Sequence, residues 1–236
     1  MKNAHKFGIL GEPLIACASG VLWIADRQTL VVSDLHLGKS GRVVRRGGPM
    51  LPPVETRDTL ARLETEIERT GARTVVCLGD SFDDLEAGRQ LPEDEGQWLG
   101  RLQAGREWIW IEGNHDPGPF DLGGSHLREC QIGPLTLRHI ALAGDTGEIS
   151  GHYHPKFILK SHGSHISRPC FLYDAARLIL PAFGAFTGGM NCHEPELRKL
   201  FGQKAFAVTI GRQAQVFPLP AAHSTTRFRL RRGNHG

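Results

Sequence analysis

Hydrophobic patterning changes character about midway along the chain. In the first half, short continuous apolar runs alternate with helical spacing. Leu14–Ala18 and Val21–Ala25 flank Ser19-Gly20 and predict an opening β-hairpin. Thr29–Val32 is a buried-strand run that ends at Ser33-Asp34. Glu55–Arg69 places Leu60, Leu63 and Ile67 on one helical face, with Pro52 and Pro53 before it and Gly71 after it. Thr74–Leu78 is a second buried run, leading into Gly79-Asp80; Leu91–Ala104 predicts a second helix; Glu107–Ile111 runs into Gly113-Asn114-His115-Asp116. Each strand of this alternation ends in a polar cluster, and in α/β folds ligands collect beyond the carboxyl ends of the strands. The second half reads as short strands with little helix between them: Leu135–Ile140, Glu148–Ile149, Phe157–Leu159, Cys170–Tyr173, Arg177–Leu180 and Ala205–Ile210. This pattern predicts a second, largely antiparallel sheet packed on the first.

With 236 residues, 40% of them hydrophobic, the chain fits one domain with a full core, spanning residues 1–224. Thr225–Gly236 is basic and poor in apolar residues, and reads as a flexible tail. The formal net charge of +3 implies no polyanion partner by itself. The five cysteines form no C-x-x-C pair, which argues against a disulfide framework or a cysteine zinc site and fits a reducing, cytoplasmic compartment. Cys77 lies in an apolar run and reads as a core residue. Lys2 and Lys6 ahead of an apolar stretch give a faint signal-peptide pattern, but Glu12 and Pro13 interrupt it, and the hairpin reading is preferred. No apolar run reaches the ~18 residues of a membrane span.

Five polar clusters carry the chemistry, in this order: Asp34-Leu35-His36; Gly79-Asp80-Ser81-Phe82-Asp83; Gly113-Asn114-His115-Asp116; His139; and Gly151-His152-Tyr153-His154. If the segments are extended, Asp34 and His36 point the same way and can grip one ion, as can His152 and His154. Carboxylate, imidazole and amide oxygen suit Mn²⁺, Fe²⁺ or Zn²⁺. The donors are too many for one tetrahedral zinc, and two ions about 3.5–4 Å apart sharing a carboxylate would use them all.

The ordered series D-x-H, G-D-x-x-D, G-N-H-D, H, G-H-x-H resembles the calcineurin-like metallophosphoesterase superfamily. The resemblance implies a four-layer α/β/β/α fold, two packed mixed β-sheets flanked by helices, and hydrolysis of a phosphate ester or diester by two divalent ions, Mn²⁺ foremost. It also implies roles. Asp34, His36, Asp80 and His154 would hold the first metal. Asp80 would bridge to a second, completed by Asn114, His139 and His152. His115 would face the leaving-group oxygen as proton donor, with Asp116 orienting its imidazole and Asp83 supporting the site from behind. Asp84 rivals Asp83, but the spacing favours Asp83.

Outside the motifs, Tyr153 and the alternating Trp108 and Trp110 read as packing, and His162 and His165 as surface residues; His193 is open. Phe183–Gly189 either shapes the pocket or turns within the second sheet. Lys39, Arg42, Arg45 and Arg46 follow the first motif and either contact phosphates or form a solvated loop with Gly41, Gly47 and Gly48.

A narrower resemblance runs through Asp34–Ser40, Arg45–Gly48, Leu51–Pro53, Leu78–Phe82, Trp108–Asp116, Gly147–His152 and Pro181–Gly189. These stretches are similar to the bacterial ligase-associated DNA damage response endonucleases. That similarity implies a DNA phosphodiester substrate in a repair setting, with a DNA ligase and a helicase as associates. A small-molecule phosphoesterase, such as a nucleotide or lipid-precursor pyrophosphatase, is the enzymatic alternative. Pro117–Gly133 is short and Gly-rich, with no apolar cap for a lipid. A non-catalytic scaffold is the third reading, disfavoured because every expected motif position is intact.

Overall fold

A computed structural model describes residues 3–41, 47, 54–119, 121–161 and 164–220. Arg42, Arg45, Arg46, His162 and the basic tail lie outside the described residues.

The first sheet has seven strands in sequence order: β1 (Ala4–Ile9), β2 (Glu12–Cys17), β3 (Leu22–Ile24), β4 (Thr29–Val32), β5 (Thr74–Leu78), β6 (Glu107–Ile111) and β7 (Ser125–Leu127). The β1–β4 pairs are antiparallel, and β4 to β7 run parallel. The predicted hairpin is β2–β3, with β1 added outside it.

The second sheet orders β15 (Gln215–Leu219), β14 (Ala205–Thr209), β12 (Ser164–Tyr173), β13 (Arg177–Ile179), β10 (Glu148–Ser150), β9 (Leu135–Arg138) and β8 (Glu129–Ile132), with β11 (Lys156–Ser161) paired to β12. Its flanks are antiparallel, as expected. Its centre is not, because β10 pairs in parallel with both β9 and β13. The β11–β12 hairpin lies in the crossover from β10 to β13, the kind of long connection that parallel neighbours require.

Alternation along the central strands assigns each side chain to a layer. Leu30, Val32, Val75, Cys77, Trp108 and Trp110 face α1 (Glu55–Thr70) and α3 (Glu93–Gln103), meeting Leu60, Leu63, Ile67, Leu99 and Leu102. Both tryptophans are buried, their ring centroids 5.4 Å apart, as the packing reading expected. Val31, Val76, Leu78, Ile109 and Ile111 point the other way and pack between the sheets against Leu135, Leu137, Ile149, Phe171, Leu178 and Val208. The helix predicted over Leu91–Ala104 is α3, and a further short helix, α2 (Leu85–Arg89), precedes it; the Asp84 carboxylate caps α2 by accepting the Ala87 N–H at 2.7 Å. On the outer face of the second sheet, Leu197 of the single-turn helix α4 (Pro195–Arg198) packs with Cys170, Leu172 and Ile179. The architecture is therefore two packed mixed sheets with flanking helices. Among the described residues, no helix is long and apolar enough to cross a membrane.

Candidate metal centre

Three neighbouring parallel strands of the first sheet, β4, β5 and β6, release Asp34, Asp80 and Asn114 at the same edge. Three neighbouring parallel strands of the second sheet, β9, β10 and β13, release His139, His152 and the 180–189 segment toward them. The first two loops travel side by side: His36 and Leu37 N–H donate to the Asp80 and Ser81 carbonyls, and Asp83 N–H returns to Leu37 O.

The D-x-H segment is not extended. Asp34, His36, Asp80, His152 and His154 all adopt left-handed φ values, between 45° and 71°. Such backbone is uncommon outside glycine and is concentrated at functional sites. The adjoining glycines have a steric role. A Cβ on Gly79 (φ 74°) would lie 2.6 Å from the His139 ring, and one on Gly151 would run into Ser33 Oγ.

Three groups of donor atoms result among the described residues: Asp34, His36 and His154; Asp80, His139 and His152; and, sharing His36 with the first, His36, Asp83 and His115. In the first, His154 Nε2 is 3.1 Å from Asp34 Oδ1 and 3.4 Å from His36 Nε2. In the second, His139 Nε2 is 3.4 Å from Asp80 Oδ2, 3.3 Å from His152 Nδ1 and 3.0 Å from Asn114 Oδ1. His152 and His154 thus fall in different groups and do not grip one ion together, because their left-handed backbone undoes the extended-strand alternation. The groups adjoin: the Asp34 carboxylate accepts the His152 backbone N–H at 3.0 Å.

These residues fit divalent ions. Donors about 2.0–2.2 Å from an ion stand about 3.0–3.5 Å from one another, and the observed spacings fall in that range. Two of the imidazoles are braced from behind: His139 Nδ1 donates to Leu78 O at 2.7 Å, and His36 Nδ1 lies 3.1 Å from Asp83 Oδ1, so each turns its Nε2 toward the donor groups.

Electrostatics tie the set together. Burial pushes the Asp80 carboxyl up, but hydrogen bonding to His139, the His139 charge and the His115 backbone N–H outweigh it and bring it to about 2. For Asp34, burial is likewise overcome by His154, His139 and the Ser33 hydroxyl, leaving its pKa below the ordinary value. Ser33 was missed in the sequence, where a serine beside D-x-H carries no signal of its own. Burial and the His139 charge push His152 down.

One expected role changes. Asp116 does not orient His115 through the contacts seen here. One of its oxygens accepts the N–H groups of Asp80 and Gly113, and the other accepts those of Ser81 and Phe82. An acidic side chain so placed is a buried brace for the loops. Burial pushes its carboxyl up to about 6, against the pull of those donors. The His115 Nδ1 instead donates to the Asp83 backbone carbonyl at 2.8 Å, and its Nε2 stands 4.0 Å from Asp80 Oδ2, beside the second donor group. Asp83 therefore serves two imidazoles, His36 through its carboxylate and His115 through its backbone.

Lys39, a candidate phosphate contact, donates to the Phe186 carbonyl at 3.0 Å. Phe183–Gly189 lies along the first motif rather than turning within the second sheet, since Phe183 and Gly184 N–H donate to Ser33 O and Asp34 O. His165 is exposed, and His193 is exposed beside Phe157, outside these donor groups.

Residues 28–174, which contain all of these ligands, match the calcineurin-like phosphoesterase family. The chain belongs to that family. This calcineurin-like phosphoesterase is also similar to a solved structure, the crystal structure of Pseudomonas putida nuclease MPE. The two are 27% identical with a TM-score of 0.73, over 92% of this chain and 100% of that one. No curated protein matches the chain. The protein is a metal-dependent phosphoesterase.

Two substitutions test the supporting roles. Asp83→Ala should weaken divalent-ion affinity about 10–100-fold by calorimetry, as loss of a ligand's outer partner does, while Asp83→Asn keeps an acceptor and recovers part of it. Asp116→Ala strands four buried N–H donors and should lower both melting temperature and metal content. If Asp116 acted only by orienting His115, it would instead mimic His115→Ala with its melting temperature intact.

Proposed function

We propose that this phosphoesterase is a two-metal phosphodiesterase that cleaves the DNA backbone, in a cytoplasmic repair setting alongside a DNA ligase and a helicase. The observation carrying the reading is the pair of adjoining donor groups where the two sheets meet, with the His115 imidazole beside them. Asp34, His36 and His154 would hold the first ion, and Asn114, His139 and His152 the second, with Asp80 as the carboxylate the two would share. Mn²⁺ is the proposed metal, and Fe²⁺ or Zn²⁺ suits the same donors. When bound, such a pair lowers the pKa of water and neutralises charge on the phosphate oxygens. The chain's own contributions are positional and acid–base. Asp83 and Leu78 fix the imidazoles, Asp116 braces the loops, and His115 holds a proton at Nε2 for the departing oxygen. The DNA assignment is supported by similarity to the P. putida nuclease over nearly the whole chain.

The first test compares Mn²⁺-dependent hydrolysis of bis-p-nitrophenyl phosphate with that of p-nitrophenyl phosphate. A diester preference is expected; a monoester preference would favour a small phosphorylated metabolite, and no turnover of either would revive the scaffold reading. Asp80→Ala should lose bound metal and turnover together. His115→Ala should keep its metal and slow cleavage of an unactivated DNA diester by about 100-fold or more, with the aryl diester within about threefold. Equal losses on both substrates would sink the proton-donor role.

A further inference from the structure

A cavity of about 800 Å³ opens directly off the metal centre, with His152 as the shared wall. Its volume lies within the range of about 300–1,000 Å³ typical of small-molecule sites. The rest of the wall has a definite chemistry. Tyr153, half-buried, sets its ring edge-on to His152 with centroids 5.0 Å apart and offers aromatic surface. Met190 adds a polarisable thioether. Asn191 supplies an amide whose Oδ1 already accepts the His193 N–H at 3.1 Å, leaving its NH₂ group as donor. Glu194 and Glu196 supply exposed carboxylates. Among the described residues, no lysine or arginine lines this space.

That combination turns away a phosphate. The backbone of a polyanion needs cations or N–H donors, and here it would meet two carboxylates. What a phosphoester can place beside the metals, within reach of this wall, is the neutral group attached to the phosphate. A flat heteroaromatic ring with N–H donors and ring acceptors matches every element of the wall: ring surface for Tyr153, an acceptor for the Asn191 amide, and N–H groups for the carboxylates. We infer that the cavity bounded by His152, Tyr153, Met190, Asn191, Glu194 and Glu196 is a subsite for the nucleobase adjoining the phosphoester under attack. The inference takes its substrate from the phosphodiesterase reading above. It adds a recognition element for the base, which the metal centre by itself does not provide.

The test has two arms. In the first, 2-aminopurine riboside, an uncharged fluorescent nucleoside, is titrated with metal-free protein. Saturable quenching is expected with wild type, weakened about tenfold or more in affinity by Tyr153→Ala and by Met190→Ala. Absent quenching, or equal quenching by both variants, overturns the subsite. In the second arm, kcat/KM is measured for the p-nitrophenyl ester of thymidine 5′-phosphate and for methyl p-nitrophenyl phosphate, a diester with no base. Their quotient divides out any damage to the metal centre. It should fall about tenfold in each variant, and an unchanged quotient in both overturns the subsite. The first arm needs neither metal nor turnover, so it reads the cavity even if the phosphodiesterase reading fails. The dinucleotide TpT and thymidine 5′-monophosphate as substrates separate a base in a strand from one in a free nucleotide.

Discussion

Four carboxylates, those of Asp34, Asp80, Asp83 and Asp116, lie buried around a group of histidines at the seam between two sheets. Ionised groups in such a place are costly unless their oxygens are matched. Asp116 takes four backbone N–H groups, and Asp34 takes the Ser33 hydroxyl and the His152 N–H. Asp80 takes the His115 N–H and faces His139, and Asp83 faces His36. Each of these matches depends on a loop following one particular path. The left-handed turns at Asp34, His36, Asp80, His152 and His154 are how the backbone keeps to those paths.

The sheets exist, in this sense, to deliver strand ends. Parallel neighbours end on the same side, so β4, β5 and β6 release their loops as one bundle, and β9, β10 and β13 release theirs as a second. The apolar layer between the sheets, Val76, Leu78 and Ile111 against Leu137, Ile149 and Leu178, sets the distance at which the bundles meet. At that distance His139 from one sheet lies 3.0 Å from Asn114 of the other, and His154 lies 3.1 Å from Asp34. Close-packed interiors transmit small shifts, so the spacing of the donors is a property of the core as much as of the loops.

Division of labour within the loops follows from the same crowding. Asp83 contacts His36 with its side chain and His115 with its backbone carbonyl, which ties the two imidazoles to one residue. The segment from Phe183 to Met190 is anchored at one end on the Ser33 and Asp34 carbonyls and at the other on that of His154, and its far end leads into the wall of the side cavity. The ligand cluster and the cavity therefore share backbone.

The sequence by itself determined the central strands, their order and the candidate donors at their ends. Thr29–Val32, Thr74–Leu78 and Glu107–Ile111 are buried on both faces, so each is a continuous apolar run that stops where a polar motif begins. The ligand types were legible because Asp, His and Asn just beyond strand ends have few other reasons to recur in that order. Strands β1, β7, β8 and β15 were not legible. They lie toward the sheet edges with many exposed residues, and one-sided burial leaves too weak a pattern. Only the tertiary structure decided that the D-x-H and H-x-H segments are not extended and that Asp116 braces backbone rather than an imidazole. The same holds for the parallel centre of the second sheet. These depend on φ at single residues and on which chain passes alongside, and side-chain type along a sequence records neither.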